Sequence, residues 1–331
     1  MTAMMPYSQR VARLRSDTGI TDSRMGALLG RHRSNIERGR ARSPHEQTTT
    51  VIAMTADIGP LGEEVAAHVV ARLDLRIIQV ADVAAQVAER LGVERRAVLR
   101  YVNGKASLLE RWRIDSRKLF HYATEEILSL AQRGNVLIEG WEAATLLHDI
   151  PGVIGVRLCA PSGFRAPILT EREKTTDANA VRARIERNAA ARTRVLRAWL
   201  NIEGDDEPVC DIALNIERLS IETCVNTIVE LAESRRLPDR AAMRSALANK
   251  LIEVRIRWAF AEHISRSMAP LGVSVSVTDE KVTLDGISCS GGLRRQAEGI
   301  ARTVAGALPI DNRIVSVPSR GRLWATTPVA S

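Results

Sequence analysis

The sequence predicts an α/β protein in two parts. A parallel sheet flanked by helices is expected over residues 51–235, and a small α-β-β-α-β domain over residues 238–320. Three observations predict it. From residue 51 onward, short apolar runs alternate with segments of helical periodicity, and that alternation builds βαβ units. The apolar runs are continuous, as burial on both faces of a sheet requires. Beyond residue 238 the strands alternate apolar with polar residues, the pattern of a sheet with one face in water.

The first part reads as follows. VIAMT is the opening strand, followed by a Gly-containing turn and the helical run EEVAAHVVARL. LRIIQV is a second strand and ADVAAQVAERL a helix. ERRAVLRYV is helical, and a long amphipathic helix begins near Ser107. NVLIEG is a strand, WEAATLLHDI a helix and VIGVRLCAP another strand. An Arg-rich helix is expected over residues 176–200, then the strand CDIALN and the closing helix LSIETCVNTIVELAES. In the second part, Pro238 opens a long helix. VSVSV and KVTLDGISC form a hairpin through Thr278-Asp279-Glu280. GGLRRQAEGIARTVAGAL is an amphipathic helix with Leu293, Ala297, Ile300, Ala301 and Val304 on one face, and DNRIVSV is the third strand. Residues 321–331 read as a tail.

At 331 residues the chain has room for two cores. With 3% aromatic residues, those cores rest on Val, Leu, Ile and Ala. The net charge of +8 points to nucleic acid, anionic lipid or phosphorylated ligands. However, the cations are scattered and all but five are Arg, a bias that genome composition also produces. The four cysteines, Cys159, Cys210, Cys224 and Cys289, form no CxxC pair and no zinc-spaced set with histidine. No nucleophile elbow and no Ser-His-Asp set is legible. His121, between Phe120 and Tyr122, reads as helix packing. The opening MTAMMPYSQRVARLR lacks the apolar core of a signal peptide, and no run of 18 apolar residues exists, so a cytoplasmic location is expected.

Residues 1–50 are polar and Arg-rich, an N-terminal arm or linker. Within residues 13–40, TGITDSRMGALLGRHRSNIERG resembles the helix-turn-helix of small phage-repressor-like proteins. Gly30 and Glu37-Arg38-Gly39 lie about one helical turn too close for a full recognition helix, so a basic arm and a degenerate DNA-binding unit are both open readings.

Four stretches in order carry a second resemblance: MTADIGPLGEEVAAHVVARLDL, ERLGVERRAVLRYVNGKASLLERW, GNVLIEGWEAATLLHDIPGVIGVRLCAPSGFRAPILTER and CDIALNIERLSIETCVNTIVE. Together they resemble the cytidylate kinase-like family, a branch of the P-loop nucleoside-monophosphate kinases. The resemblance implies a P-loop parallel sheet, ATP and Mg²⁺ as cofactors if the protein is active, and CMP or dCMP as acceptor. Phosphoryl transfer asks mainly for positioned phosphates and neutralised oxygens. A Gly-rich loop supplies bare amides for this, and the following helix adds its dipole.

The chain departs from that pattern at the phosphate loop, Gly59-Pro60-Leu61-Gly62-Glu63-Glu64. Pro60 offers no N–H, Leu61 brings bulk, and Glu63 stands where the resemblance implies a cation. Trp141 follows Gly140 where the family has Arg, and Gln79 stands where it has an acid. Other positions match. Arg187 and Arg194, seven apart on the Arg-rich helix, resemble the paired lid arginines, with Ala191 in place of the intervening acid and Arg192 as the alternative register. Arg165 follows the fourth strand as the family's Arg does. Asp211 and Asn215 match the closing strand, where turn and strand-end hydrogen bonding is the competing role. Nucleotide-binding candidates are therefore Gly59, Gly62, Glu63, Asp211 and Asn215. Candidates for phosphate chemistry are Arg165, Arg187, Arg192 and Arg194.

VSVSVTDEKVTLDGISCSGGLRRQAEGIARTVAGALPIDNRIVSV resembles a BON domain, with Gly286, Gly306 and Asn312 at that family's marked points. That resemblance implies a module binding a protein partner or an anionic phospholipid surface, with Arg294, Arg295 and Arg302 as candidate contacts. Three functions are thus open: a non-catalytic or weakly nucleotide-binding scaffold or regulator of kinase fold, an active CMP/dCMP kinase using ATP, and a DNA-binding regulator acting through the arm.

Overall fold

Five parallel strands can be joined only by crossovers, and in this chain helices supply them. The computed structural model describes residues 50–57, 59–172, 174–200, 209–234, 240–264, 271–279, 281–288 and 291–317. The arm at 13–40 and the tail at 321–331 lie outside the described residues. Two units divide the chain, Met1–Arg244 and Ser245–Ser331.

In the first unit, β1 (Val51–Ala56), β2 (Arg76–Ile78), β3 (Val136–Glu139), β4 (Val153–Cys159) and β5 (Ile212–Asn215) form one sheet in the order β2-β3-β1-β4-β5. Every pairing is parallel. β1 is central, and Val51 through Met54 are fully buried, which explains its unbroken apolar run. The helices are α1 (Pro60–Leu73), α2 (Val80–Leu91), α3 (Arg95–Val102), α4 (Leu108–Arg113), α5 (Ser116–Arg133), α6 (Ala143–Leu146), α7 (Ser162–Arg172), α8 (Ala178–Leu200) and α9 (Ile221–Glu233). Leu61, Val65 and Val69 of α1 join Cys224, Val225 and Ile228 of α9 in the core with Ile52, Met54 and Leu158 of the sheet. Burial pushes the Cys224 thiol up to about 11, so it behaves as a small apolar side chain.

The expected long helix from Ser107 is two helices. The Asp115 carboxylate accepts from the Arg117 and Lys118 amides and starts α5 afresh, with Ile114 extended. The expected helix over residues 141–150 is reduced to the single turn α6, because Gly140, Trp141 and Glu142 all take left-handed backbone. At Gly140 a Cβ would lie 2.4 Å from Val80 Cγ2, so only glycine fits there.

The second unit holds most of α10 (Arg240–His263), then β6 (Leu271–Val277), β7 (Val282–Ser288), α11 (Gly291–Ala305) and β8 (Ile310–Ser316). β6 pairs antiparallel with β7, and β7 pairs parallel with β8, giving a mixed three-stranded sheet. Ile256 of α10 and Leu293, Ala297 and Ala301 of α11 pack on Val275, Val282, Leu284 and Ile314. The expected α-β-β-α-β order is present.

Candidate functional site

Ligands of open parallel sheets bind beyond the carboxyl ends of the strands. Here those ends are formed by Ala56, Ile78, Glu139, Cys159 and Asn215. Only three residues, 57–59, separate β1 from α1, because the helix already starts at Pro60. Proline suits the first helical position, where its missing N–H and fixed φ do no harm. The stretch expected to form a phosphate loop is therefore helical from its second residue. Leu61 does not protrude into the turn, as the sequence suggested. The helical register points it into the core, where it is 2% exposed. Gly62 lies where α1 meets β1 so closely that a Cβ would be 2.8 Å from that of Ala56.

The group at the mouth of this turn is Asp57. Its amide donates to Leu158 O at 3.0 Å, and its Oδ2 accepts from the Ala160 amide at 3.3 Å. Its Oδ1 accepts from Arg192 Nη1 at 3.3 Å and lies 4.0 Å from Arg157 Nη2. Arg192 Nε in turn lies 2.9 Å from Glu142 Oε1. Arg192 Nη2, Arg157 Nη1 and Glu142 Oε2 are buried without a hydrogen-bond partner. Burial pushes the Glu142 carboxyl above its ordinary range, with Arg192 opposing the shift. Two carboxylates and two guanidinium groups thus share one mostly buried site at the sheet's carboxyl edge.

A third acid stands at the same edge. Glu139 ends β3, and burial, reinforced by the nearby Glu63 charge, pushes its carboxyl to about 7.

The residues expected from sequence separate into groups. Glu63 is half-exposed and paired with Arg172 at 2.7 Å, though its charge still reaches Glu139, and Asp57 is the acid in the turn itself. Gly59 immediately precedes α1. Arg165 donates from Nε to Ala160 O at 2.8 Å, holding the turn after β4. Arg187 is exposed, and the side chain of Arg194 lies outside the described residues. Arg192, the alternative register, reaches the site; Ala191 beside it is buried. Asp211 accepts from the Gly155 amide at 2.6 Å. Gly155 is four residues before the end of β4, about 13 Å from the sheet's carboxyl edge. Asn215 accepts from the Glu217 amide at 3.0 Å and closes a turn.

Trp141 is buried, its Nε1 donating to Val80 O at 3.1 Å. Gln79 precedes α2, and its amide donates to Asp82 Oδ2 at 2.9 Å. In the second unit Arg294 donates to Asn312 O at 3.0 Å, and Arg302 pairs with Glu298 at 2.8 Å. Arg294, Arg295 and Arg302 are all exposed.

Sequence reasoning missed Asp57, Glu142 and Arg157. For Arg157 a signal existed: it is the single cation inside an otherwise apolar strand. For the two acids there was none beyond their positions just after strands. Among the described residues no group of three or more His, Cys, Asp or Glu side chains is arranged to hold a metal ion. No helix among them is long and apolar enough to cross a membrane.

A model of the cytidylate kinase-like family matches residues 51–218. Among solved structures, an uncharacterized protein from Eubacterium ventriosum is similar at 16% identity and a TM-score of 0.44, covering 57% of this chain and 100% of that one. Shikimate kinase from Bacteroides thetaiotaomicron is similar at 13% identity and a TM-score of 0.37, over 56% of this chain and 100% of that one. Shikimate kinase from Acinetobacter baumannii, in complex with shikimate, matches at 14% identity and a TM-score of 0.33, over 57% and 97%. No curated protein matches the chain.

Proposed function

The chain belongs to the cytidylate kinase-like family, and from that premise we propose that it uses the kinase fold as a scaffold or weak nucleotide sensor, without phosphoryl transfer. One observation carries this reading: Asp57 stands at the β1–α1 turn with Arg192 and Arg157 drawn onto it. A triphosphate needs cations and free amides at that place. To bind, it must displace Arg192 from Asp57 and Glu142, leaving carboxylates facing phosphate. Each like-charge pair at about 4 Å opposes binding by about 4 kcal/mol at an effective dielectric near 20, or about a thousandfold in affinity. Mg²⁺-ATP fits these residues poorly. The turn is acidic, Pro60 withholds an amide, and Glu64 stands where a metal-holding hydroxyl is expected.

A second reading, a CMP or dCMP kinase, has one observation in its favour. Arg157 Nη1 and Arg192 Nη2 are buried with unused hydrogen-bonding capacity, which a phosphate oxygen would satisfy. Calorimetry of the full chain with ATP, CMP and Mg²⁺, alongside an assay for ADP, separates the two. The scaffold reading expects dissociation constants no tighter than about millimolar and no ADP. Micromolar binding of both nucleotides with turnover overturns it.

We further propose a division into a kinase-like domain at residues 51–235 and a BON-like binding module at residues 238–320. The module's ligand would be a protein partner or an anionic lipid, through Arg294, Arg295 and Arg302. DNA binding by residues 13–40 is tested by deleting residues 1–50 and measuring salt-dependent DNA affinity, which the scaffold reading expects to be absent from the full chain.

A further inference from the structure

The six-residue helix α4 displays its apolar residues outward. Leu108 is 85% exposed, Leu109 64% and Trp112 86%. In a soluble domain such residues are normally scattered singly. Here they are three side chains on one turn and a half of helix. At about 100° per residue, Leu108, Trp112 and Leu109 fall within an arc of about 100°, with Arg111 about 60° beyond one side and Arg113 about 40° beyond the other. Glu110 falls on the opposite side and is tied to Arg100 of α3. The inward contact of α4 is therefore polar, and its apolar stripe has arginine on both flanks.

The surroundings carry the same sign. Between residues 105 and 118 there are five cations, Lys105, Arg111, Arg113, Arg117 and Lys118, against two carboxylates. Both carboxylates have partners: Glu110 with Arg100, and Asp115 with the Arg117 and Lys118 amides at the start of α5. The five cations are exposed.

We infer that α4 is a docking surface for anionic phospholipid bilayers, with Leu108, Leu109 and Trp112 entering the interface and Arg111 and Arg113 at headgroup level. The chemistry favours this occupant over others. An apolar stripe flanked by arginine, with tryptophan at its centre, is the arrangement of helices that lie in a bilayer interface. A second copy of this face would bring net positive charge against net positive charge. Single-stranded nucleic acid is gripped by successive aromatic platforms, and two leucines offer none. The cationic flanks require an anionic headgroup, so neutral bilayers are not the partner.

The test is co-sedimentation of the full chain with vesicles of phosphatidylglycerol and phosphatidylcholine, and with phosphatidylcholine alone. Binding to the mixed vesicles is expected, weakening as salt rises from 0.1 to 0.5 M, values about one and three times cellular ionic strength. The triple variant Leu108→Ser/Leu109→Ser/Trp112→Ser is expected to lose at least about tenfold in partitioning, and Arg111→Glu/Arg113→Glu a similar amount. Brominated lipid is expected to quench the wild-type fluorescence more than that of Trp112→Phe. The inference is overturned if wild type does not sediment, if it binds neutral vesicles equally, or if the triple variant binds as wild type does. A concentration-dependent dimer abolished by the triple variant also overturns it, in favour of self-association.

Discussion

Two arginine-rich regions of the first unit show opposite uses of the same side chain. At the carboxyl edge of the sheet, Arg157 and Arg192 are mostly buried and drawn onto Asp57 and Glu142. On α4, Arg111 and Arg113 are exposed beside uncovered leucine and tryptophan. The first set sits at the sheet's carboxyl edge and is neutralised from within. The second is exposed and, on the inference above, meets an external partner. Net charge and Arg content therefore say little about function until each guanidinium is placed against its nearest carboxylate.

The largest effect is expected at Arg192. Replacing it with alanine takes the nearest cation from Glu142 and leaves Asp57 with Arg157 at 4.0 Å, and breaking such a buried pair costs about 3–5 kcal/mol. Urea denaturation of Arg192→Ala should show a drop of that size. A change under about 1 kcal/mol would erase the contrast between the two regions, because it would place Arg192 among weakly engaged surface cations.

A somewhat smaller effect is expected at Glu139. Its carboxyl is raised to about 7 in the folded protein from 4.5. The folded state thus holds this proton more tightly than the unfolded chain. The stabilising protonated form is fully present below pH 4.5, and its contribution is lost as pH rises to about 7. The loss is on the order of 3 kcal/mol. Glu139→Gln should flatten the stability profile over that window and leave the protein more stable than wild type at pH 8. An unchanged profile would mean that Glu139 is not the acid burdened by burial.

How much of this was legible follows from the range of each interaction. Parallel strands announce themselves locally, through runs such as Val51–Met54 that are apolar on both faces. The split between α4 and α5 was hidden because the periodicity continues through Ile114-Asp115, and only the capping bonds of Asp115 break it. The ion cluster was harder still. Asp57 and Arg192 are 135 residues apart and meet only once the sheet order is known. The motif at Gly59–Glu64 drew attention to Glu63, yet the early start of α1 turns that residue toward Arg172. Arg192 was visible only as an alternative register, because a helix rich in arginine does not declare which face it buries.

Ser107 gives a smaller, local test. Its Oγ accepts from the Glu110 amide at 3.3 Å, and its own amide donates to Glu110 Oε2 at 2.9 Å, a reciprocal cap on α4. Ser107→Ala should weaken the helix by about 1 kcal/mol. Hydrogen exchange over residues 108–113 should accelerate about fivefold while exchange in β1 stays unchanged. Equal acceleration in both would mean that α4 is part of the cooperative core rather than an appended element.

The smallest effect is expected from the apolar stripe itself, and it sharpens the comparison furthest. Leu108, Leu109 and Trp112 are largely in water in the folded chain. Their removal takes little apolar area out of the folded state that the unfolded chain does not also expose. Each serine substitution should change stability by less than about 0.5 kcal/mol by urea denaturation. A core tryptophan or leucine would lose several times that amount. If Trp112→Ser destabilised the protein by about 2 kcal/mol, Trp112 would be packed in solution against another part of the protein, and the contrast between a neutralised interior site and an open cationic surface would fail at its second half.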